Sequence, residues 1–444
     1  MKITVIGTGY VGLVAGACFA DIGNEVWCVD VDQTKIDKLK QGIIPIYEKG
    51  LEPIVNKNFQ EGRLHFSTNL LDGFDQSQFI FIAVGTPSNP DGSVDLKYVY
   101  AVAEEIAKNL KDYKLIINKS TVPVGTGKQL RDFIDQKIKE RGINVDFDIV
   151  SNPEFLREGN AIEDFMNPDR VIIGTESIRA KEQMNELYSG LFKDAEPRII
   201  FMDVRSAEVT KYASNSMLAT KISFINEISN LCEKVDANVE MVRLGVGADK
   251  RIGYSFISPG IGYGGSCFPK DVKAIINTGN EYGYDMKLLK AVELINETQK
   301  AHLFDKIQNY FDNKKDGLKG KTIAIWGLAF KPETDDMRES PSQVIIRKLV
   351  EGGTKIKAHD PEAQNEAKRL FKDIETSIEY FDDNYECLKD CDALALLTEW
   401  NIYKQPNFQL IKKHLKNPII FDGRNQYRPS EMKEMGFDYF SIGR

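Results

Sequence analysis

The sequence is poor in the residues that build metal centres and disulfide frameworks. It has 6 cysteines and 4 histidines in 444 residues, and no two cysteines form a CxxC pair. This spacing argues against a zinc site and an extracellular disulfide scaffold, and it favours a reducing cytoplasm. The histidines lie far apart in the sequence, so they indicate neither a metal cluster nor a Ser/His/Asp triad.

Long apolar runs and net positive charge are also lacking. No apolar stretch is long enough to cross a bilayer, and a strand predicted to begin at Lys2 leaves no room for a signal or transit peptide. Asp and Glu total 66 against 58 Lys and Arg, a net charge of −8, which excludes a global attraction to nucleic acid or to an anionic membrane. An anionic ligand therefore needs a local positive pocket.

What the chain does have is a repeated alternation of apolar strands and helical segments. The runs KITVIGTG, NEVWCVDVD, QFIFIAVGTP, YKLIINKSTV, FDIVSNPEF and RVIIGT are separated by stretches of helical period. This pattern predicts an open parallel sheet with helices on both faces. We predict a first domain over residues 1–200, with the end of the domain near Pro197.

The remainder of the chain predicts a helical region and a second α/β series. The segment Ser206–Val235 has no Gly or Pro and predicts one long helix in a central helical region, 201–304. A helix from about Asn296 leads into the charged linker DNKKDGLKGK, and a smaller α/β domain, 318–444, follows. The predicted fold is α/β, with two Rossmann-like parallel sheets joined by the helical region.

A glycine cluster follows the first strand and opens a helix. Gly7, Gly9 and Gly12 form GTGYVG, in which a tight turn brings backbone amides to a pyrophosphate. The next strand ends at Asp30, where a carboxylate can bind the ribose hydroxyls and repel a 2′-phosphate, which favours NAD over NADP. Lys35, one turn into the following helix, either reaches the ribose or is a solvated lysine. The alternative is a turn that only packs helix on strand.

Two threonines lie just beyond the carboxyl ends of predicted strands. Thr86 and Thr121 follow strongly apolar runs of the same sheet. Ligands of open parallel sheets bind outside these ends, so both hydroxyls are predicted to touch a dinucleotide or its substrate. The alternative, of about equal weight, is that each hydroxyl caps the next helix.

Two pairs of polar residues have helical spacing. Glu154 and Glu158 would align on one face if their segment is helical, as a catalytic acid and base or as an exposed surface pair, which is the commoner fate of Glu. Lys211 and Asn215, on the long helix, would present a cation and an amide that can stabilise an alkoxide. The alternative for the second pair is a solvent-facing surface.

The passage PGIGYGGSCFPKD is the most informative. Its glycines permit close approach of the backbone to a ligand, and the helix after Cys267, together with Lys270, would favour a thiolate. Asp271 lies four residues beyond the cysteine and can orient water or accept a proton. The alternative is that Cys267 is a small buried hydrophobe, as we predict for the other five cysteines.

A thiolate beside a nicotinamide indicates a particular chemistry. An alcohol is oxidised directly to an aldehyde, but an aldehyde must become tetrahedral before a second hydride can leave. Addition of a cysteine gives a thiohemiacetal, and its oxidation gives a thioester that water cleaves. The predicted reaction is therefore a four-electron oxidation of an alcohol to an acid.

The motifs resemble those of a known family along the whole chain. GTGYVGL, VGTPS, KSTVPVGT, NPEFLREG, KYASNSMLATKISFINEIS, GYGGSCFPKD, GLAFKPETDDMRESP and FDGR are similar to the nucleotide sugar 6-dehydrogenases. The resemblance implies an NAD-binding Rossmann domain, a central dimerisation region and a C-terminal UDP-binding domain. It implies UDP-glucose as substrate and a homodimer or higher homo-oligomer as the assembly, with no nucleic-acid or membrane partner. GDP-mannose, or another nucleotide sugar, remains the alternative substrate.

The resemblance also implies roles for particular residues. Cys267 would be the nucleophile, and Glu154 would assist thioester hydrolysis. The other residues that would organise water, the oxyanion and proton transfers are Thr121, Lys211, Asn215 and Asp271. Besides the glycines, the cofactor contacts would be Val11, Asp30, Lys35, Thr86, Thr121, Glu158, Lys270 and Arg338.

The implied contacts to the sugar nucleotide come from several segments. Arg251 would reach the substrate of the neighbouring subunit, and Arg424 would bind substrate from the C-terminal domain. The remaining contacts would be Glu154, Phe155, Leu156, Arg157, Glu158, Lys211, Asn215, Phe256, Ile257, Ser258, Pro259, Gly260, Gly264 and Lys331.

Two other functions stay open on the sequence. A simple hydroxy acid dehydrogenase shares the plan of a Rossmann domain, a helical domain and a Lys/Asn pair, but it needs no nucleophilic thiol. A non-enzymatic sensor would bind NAD or a UDP-sugar without turnover. The C-terminal turn keeps only the first glycine of the fingerprint, Gly327, so we do not expect it to bind a second NAD.

Overall fold

The computed structural model describes residues 1–192 and 198–444, so the predicted end of the first domain near Pro197 lies outside the described residues. The backbone divides into two units, Met1–Ser214 and Asn215–Arg444. The boundary falls within one long helix. The three domain ranges given above remain predictions.

The first unit is built on an eight-stranded sheet. The strands follow the order β3-β2-β1-β4-β5-β6-β7-β8, and the first six have the arrangement of a dinucleotide-binding sheet, which changes direction between β1 and β4. Their bounds are β1 (Lys2–Ile6), β2 (Glu25–Val29), β3 (Leu64–Ser67), β4 (Phe79–Ile82), β5 (Lys114–Asn118), β6 (Phe147–Ser151), β7 (Val171–Gly174) and β8 (Ile199–Met202).

Helices cover both faces of this sheet, as predicted. Apolar side chains of α1, α3 and α8 pack on one face, and those of α5 and α6 pack on the other. The helices are α1 (Tyr10–Asp21), α2 (Gln33–Lys40), α3 (Leu51–Gln60), α4 (Leu71–Phe74), α5 (Lys97–Asn109), α6 (Thr126–Glu140), α7 (Ala161–Met166) and α8 (Ile178–Ser189).

One strand pair departs from the predicted parallel sheet. β6 and β7 pair antiparallel, through the single position Ser151↔Gly174, whereas the other neighbouring pairs described in this sheet are parallel. The prediction that RVIIGT extends the parallel sheet was therefore wrong in direction. A strand buried on both faces gives the same apolar run in either direction, so the sequence pattern does not reveal this reversal.

The prediction of one long helix is confirmed by α9 (Val204–Lys234), which crosses the boundary between the units. The second unit continues with α10 (Val239–Gly247), α11 (Phe268–Glu281) and α12 (Lys287–Asn313). The predicted start of α12, near Asn296, was wrong. The segment KLLKAVELI before Asn296 keeps helical period without Gly or Pro, and it extends the helix back to Lys287.

The rest of the second unit is a six-stranded sheet in the order β11-β10-β9-β12-β13-β14, with all described pairs parallel. The strands are β9 (Thr322–Trp326), β10 (Lys355–His359), β11 (Ile378–Tyr380), β12 (Ala393–Leu396), β13 (Ile419–Asp422) and β14 (Asp438–Ser441). The helices are α13 (Pro341–Glu351), α14 (Gln364–Leu370), α15 (Asn401–Lys404), α16 (Phe408–His414) and α17 (Pro429–Glu434), with 3₁₀ turns at Lys372–Ser377 and Glu386–Leu388. Within the described ranges, none of the helices combines the length and the apolar character needed to cross a membrane.

Candidate functional site

The glycine loop between β1 and α1 has the geometry of a phosphate-binding turn. Gly7 has φ +103°, which favours glycine, and a Cβ on Gly12 would lie 1.9 Å from the Gly7 carbonyl oxygen. A Cβ on Gly9, in contrast, would meet nothing within 4 Å. Gly9 is also the N-cap of α1, and it has no side chain that could occupy the amides of the first turn. The first turn of α1, which contains Val11, thus presents its amides on an open side, as a pyrophosphate requires.

Asp30 lies directly after β2, beside the glycine loop. Its Oδ2 accepts hydrogen bonds of 2.8 Å from the backbone N–H and the hydroxyl of Thr8, and Lys35 Nζ lies 3.9 Å away. Burial alone would raise the pKa of Asp30, but the bonds from Thr8 and from the Asp32 amide hold it below its usual value. The carboxylate is therefore ionised and oriented, with acceptor capacity remaining for ribose hydroxyls. These residues fit an NAD adenosine.

Thr86 and Thr121 follow the neighbouring strands β4 and β5, and both are half-buried. The N-cap of α5 is Leu96 and that of α6 is Gly125. The alternative that each threonine caps the next helix was therefore wrong. Both hydroxyls belong to the turns at the carboxyl edge of the sheet, where ligands of this fold bind.

Glu154 and Lys211 form a buried ion pair. Lys211 Nζ donates to Glu154 Oε1 at 2.8 Å and to the Glu154 carbonyl oxygen at 2.7 Å, and the two side chains are 6% and 4% exposed. Burial would raise the pKa of Glu154, but the charge and hydrogen bond of Lys211 lower it below its ordinary value. The alternatives of a surface carboxylate pair and of a solvent-facing lysine were therefore wrong for these two residues.

The loop after Glu154 is not helical, so the proposed alignment of Glu154 with Glu158 was wrong. Leu156 N–H donates to Glu154 Oε2 at 2.6 Å, which turns the chain back on the carboxylate. Arg157 is exposed and pairs with Asp164 in α7. Glu158 and Phe155 are half-buried, and the Phe155 ring lies 5.4 Å from Lys211 Nζ. The segment is thus a turn fixed around the buried pair.

In the second unit, Cys267 is the N-cap of α11 and Pro269 lies in the first turn. The thiol is partly exposed and its Sγ lies 3.4 Å from Ser266 Oγ, whereas Cys18, Cys28, Cys232, Cys387 and Cys391 are buried. The predicted division between one accessible cysteine and five buried ones is confirmed. A thiol at a helix N-terminus has its thiolate stabilised by the helix dipole.

Asp271 lies one turn beyond Cys267, and its N–H donates to the Cys267 carbonyl at 2.8 Å. The Asp271 side chain is 1% exposed, and its Oδ2 accepts from Asn215 Nδ2 at 2.6 Å. Lys270 Nζ lies 3.3 Å from Oδ1 but outside hydrogen-bonding geometry, and no described residue donates a hydrogen bond to that oxygen. A buried carboxylate oxygen without a donor is suited to hold a water or a substrate proton.

The glycine-rich loop before Cys267 is held by amides from two helices. Asn226 of α9 accepts from Gly260 N–H at 2.9 Å, and Gln299 of α12 donates to the Gly260 carbonyl at 2.7 Å. Asn296 bonds both the N–H and the carbonyl of Tyr263. At Gly264, a Cβ would lie 2.4 Å from the Glu339 carbonyl oxygen. Close backbone packing explains this glycine.

The segment before this loop contains a strained residue. Phe256 has φ +62°, an unusual conformation for an aromatic residue, and its ring lies 6.2 Å from that of Phe268. Ile257, Pro259 and Gly260 are buried, and Ser258 is exposed. Arg251 is also exposed, with 88% of its side chain accessible, and pairs with Asp249.

Arg424 lies beside Gly260. Its guanidinium donates to the carbonyls of Leu397 and Phe330, and a Cβ on Gly260 would be 3.4 Å from Nη1. Lys331 is next to Phe330, and Nζ lies 5.3 Å from the phenyl ring centroid. Arg338 is exposed and pairs with Asp336. The second unit thus brings the predicted substrate cation Arg424 to Gly260, and Lys331 follows a residue whose carbonyl Arg424 binds.

The turn after β9 uses its amides internally. Asp360 Oδ2 accepts from the N–H groups of Leu328 and Ala329 and from Trp400 Nε1. In the first unit, the carboxylate after the second strand, Asp30, accepts a bond from the Thr8 amide of the corresponding turn. In the second unit, the buried carboxylate occupies two successive amides of the turn.

The sequence reasoning missed four polar residues that support these sites. Asn226, Asn296 and Gln299 are buried amides on otherwise ordinary helices, and their only sequence signal is a polar residue at an inward-facing helical position. Lys119 is a buried lysine directly after β5. Lys119 is two residues before Thr121, a predicted ligand contact, and this proximity was a signal that could have been used.

Comparisons with known proteins point to one family in every part of the chain that they match. Residues 1–192 match the NAD binding domain of the UDP-glucose/GDP-mannose dehydrogenase family, 205–298 its central domain and 324–429 its UDP binding domain. The chain is 45% identical to a UDP-glucose 6-dehydrogenase of Pseudomonas aeruginosa, over 100% of this chain and 98% of the relative. It is 47% identical to UDP-glucose 6-dehydrogenase TuaD of Bacillus subtilis, over 100% and 93%.

A solved structure has the same fold. A UDP-glucose dehydrogenase from the hyperthermophilic archaeon Pyrobaculum islandicum superposes with a TM-score of 0.87, at 35% identity, over 99% of this chain and 96% of that one. Full-length matches of this identity, together with three family domains in order, establish the relationship. The chain belongs to the UDP-glucose/GDP-mannose dehydrogenase family, and its first domain is the NAD-binding domain of that family.

Proposed function

We propose that the protein oxidises UDP-glucose to UDP-glucuronate in two successive steps, through a thiohemiacetal and a thioester on Cys267. The observation that carries the proposal is the partly exposed cysteine at the start of α11, with the buried Asp271 one turn beyond it. Full-length similarity to proteins named UDP-glucose 6-dehydrogenases supports the choice of substrate. NAD, when bound, accepts two electrons and a proton in each oxidation.

The residues of the first unit would hold the cofactor and the charged intermediates. Asp30 would bind the adenosine ribose, and the open side of Gly9 would receive the pyrophosphate. Lys211 would donate a hydrogen bond to the oxygen at C6 as it becomes anionic in each oxidation. Glu154, kept ionised by Lys211, would accept a proton from the water that cleaves the thioester. Thr121 would orient this water.

The residues of the second unit would form and hold the covalent adduct. The Cys267 thiolate adds to the aldehyde carbon, and the aldehyde oxygen takes up a proton. Asp271, oriented by Asn215, would hold the proton that leaves the C6 hydroxyl, using the carboxylate oxygen that accepts no described hydrogen bond. Arg424 and Lys331 would neutralise the diphosphate of the sugar nucleotide.

We also propose that the protein acts as a homodimer in the cytoplasm. Three apolar residues of α9, Met217, Phe224 and Leu231, recur every seven positions and are 62%, 50% and 54% exposed. A repeated exposed apolar row on one helix is typical of a surface that packs against a second copy. Light scattering should give twice the mass of 50.2 kDa. Charged replacements at Phe224 and Leu231 should give the monomer mass, and an unchanged mass would contradict this interface.

The reaction is tested by counting products. Purified protein with UDP-glucose and excess NAD should form two NADH per sugar consumed and release UDP-glucuronate. Cys267→Ser should lose acid formation, because a protonated serine hydroxyl adds poorly to the aldehyde and forms no thioester, while Cys232→Ser should keep it. Acid release at the normal rate by Cys267→Ser would rule out the thioester. Parallel assays with GDP-mannose test the alternative substrate.

A further inference from the structure

Lys119 is a buried lysine, which is rare in proteins. It follows the last residue of β5 and is only 5% exposed. Its Nζ donates to Asn152 Oδ1 at 3.3 Å. Asn152 follows β6, and its N–H donates to the Asn118 carbonyl at 2.9 Å, so Lys119 and Asn152 are adjacent at the carboxyl edge of the sheet. A lysine this buried is seldom tolerated without a paired anion.

The nearby anion is Glu154, two residues beyond Asn152. Burial lowers the pKa of Lys119 to about 8, against the opposing effect of the Glu154 charge and with a further lowering by Lys211. Reciprocally, Lys119 contributes to the lowered pKa of Glu154. Asn152 is itself held by the Tyr188 hydroxyl at 2.5 Å. Lys119, Glu154 and Lys211 therefore form one electrostatic cluster on a rigid edge of the first unit.

Two lysines act on the Glu154 carboxylate. Lys211 pairs with it at 2.8 Å, and the charge of Lys119 also lowers its pKa. In the function proposed above, Lys211 turns from Glu154 towards an oxyanion, and Glu154 then loses its closest counterion. A second fixed ammonium would keep Glu154 ionised at that moment.

We propose that Lys119 is a positioning residue of the reaction, which acts through Glu154 and Lys211 as the second cation that keeps the Glu154 carboxylate ionised while Lys211 binds the substrate oxygen. This inference rests on the proposed function. It assigns to Lys119 no contact with the sugar or the cofactor. Its effect should therefore appear in kcat and its pH dependence rather than in the KM for NAD.

The test compares the pH profile of kcat, from pH 5.5 to 9.5, for the wild-type protein, Lys119→Met and Lys119→Arg. Lys119→Met should lower kcat at pH 7.5 by about tenfold or more and move the acid limb to higher pH, because Glu154 ionises less readily. Lys119→Arg should keep the acid limb where the wild type has it, because a guanidinium supplies the same positive charge.

The matched control is Lys114→Met. Lys114 is also a buried lysine, with its side chain 5% exposed, but it lies at the opposite end of β5 and pairs with Asp112. This variant should leave the pH profile unchanged. Thermal melting and NAD binding verify the fold of each variant. If Lys119→Met fails to fold, Lys119→Gln replaces it, because glutamine keeps a donor for Asn152 but carries no charge, and an acid limb unchanged from wild type then overturns the proposal.

The outcomes separate the two proposals. A wild-type protein that forms no UDP-glucuronate overturns the proposed function. A wild-type protein that forms the acid, together with a folded Lys119→Met variant whose kcat and acid limb are unchanged, overturns the role of Lys119 alone. A Lys119→Met variant whose only defect is a raised KM for NAD also overturns it, because that pattern indicates a role in cofactor binding.

Discussion

Breaking the buried pair of Glu154 and Lys211 should cost far more than a surface ion pair would. The two side chains are 6% and 4% exposed and meet at 2.8 Å, so Lys211→Met leaves an ionised carboxylate without its partner. Loss of one member of a buried pair destabilises a protein by about 3–5 kcal/mol, whereas an exposed pair contributes about 0–1 kcal/mol. We expect Lys211→Met to lower the free energy of unfolding by an amount in the larger range.

A double-mutant cycle isolates the pair. Glu154→Gln and Lys211→Met each leave one partner behind, but the double variant leaves no buried charge in the pair. Its cost should be about 1–3 kcal/mol smaller than the sum of the two single costs. Urea unfolding measures these values when it is followed by the fluorescence of Trp27 in a background in which Trp326 and Trp400, of the second unit, are replaced by Phe. Strictly additive costs would refute the buried pair.

Two further predictions concern stability and the glycine loop. Burial would raise the pKa of Glu233, but bonds from His302 and Lys306 lower it to about 2. The group therefore stabilises the folded state above its unfolded pKa of 4.5, by about 3 kcal/mol, and this stability is lost as pH falls from 4.5 to 2. The stability of Glu233→Gln, measured by acid unfolding, should not fall in this way between pH 4.5 and 2. A profile identical to that of the wild type would contradict the prediction. A Gly12→Ala variant should lower the melting temperature, because its Cβ would lie 1.9 Å from a carbonyl oxygen, whereas Gly9→Ala should keep the melting temperature and weaken NAD binding measured by calorimetry.

The elements that the sequence predicted well are those with a local physical signal. The turn at Gly7 needs a positive φ, the long helix α9 needs a run without Gly or Pro, and Cys267 needs a helix start marked by Pro269. The prediction that Asp30 lies beside the glycine loop came from its place at the end of a strand. Each signal lies within a few residues of its consequence, so reading along the chain was enough.

Only the tertiary structure decided which polar groups are buried and with whom they pair. Lys211 and Glu154 are 57 residues apart in the sequence. The helical spacing of Lys211 with Asn215, and of Glu154 with Glu158, fitted an exposed surface equally well. The direction of β7 had no local signal either. The cost of burying a charge depends on the partners that the fold brings together. The positions of those partners in the sequence do not reveal how close they are in the folded protein.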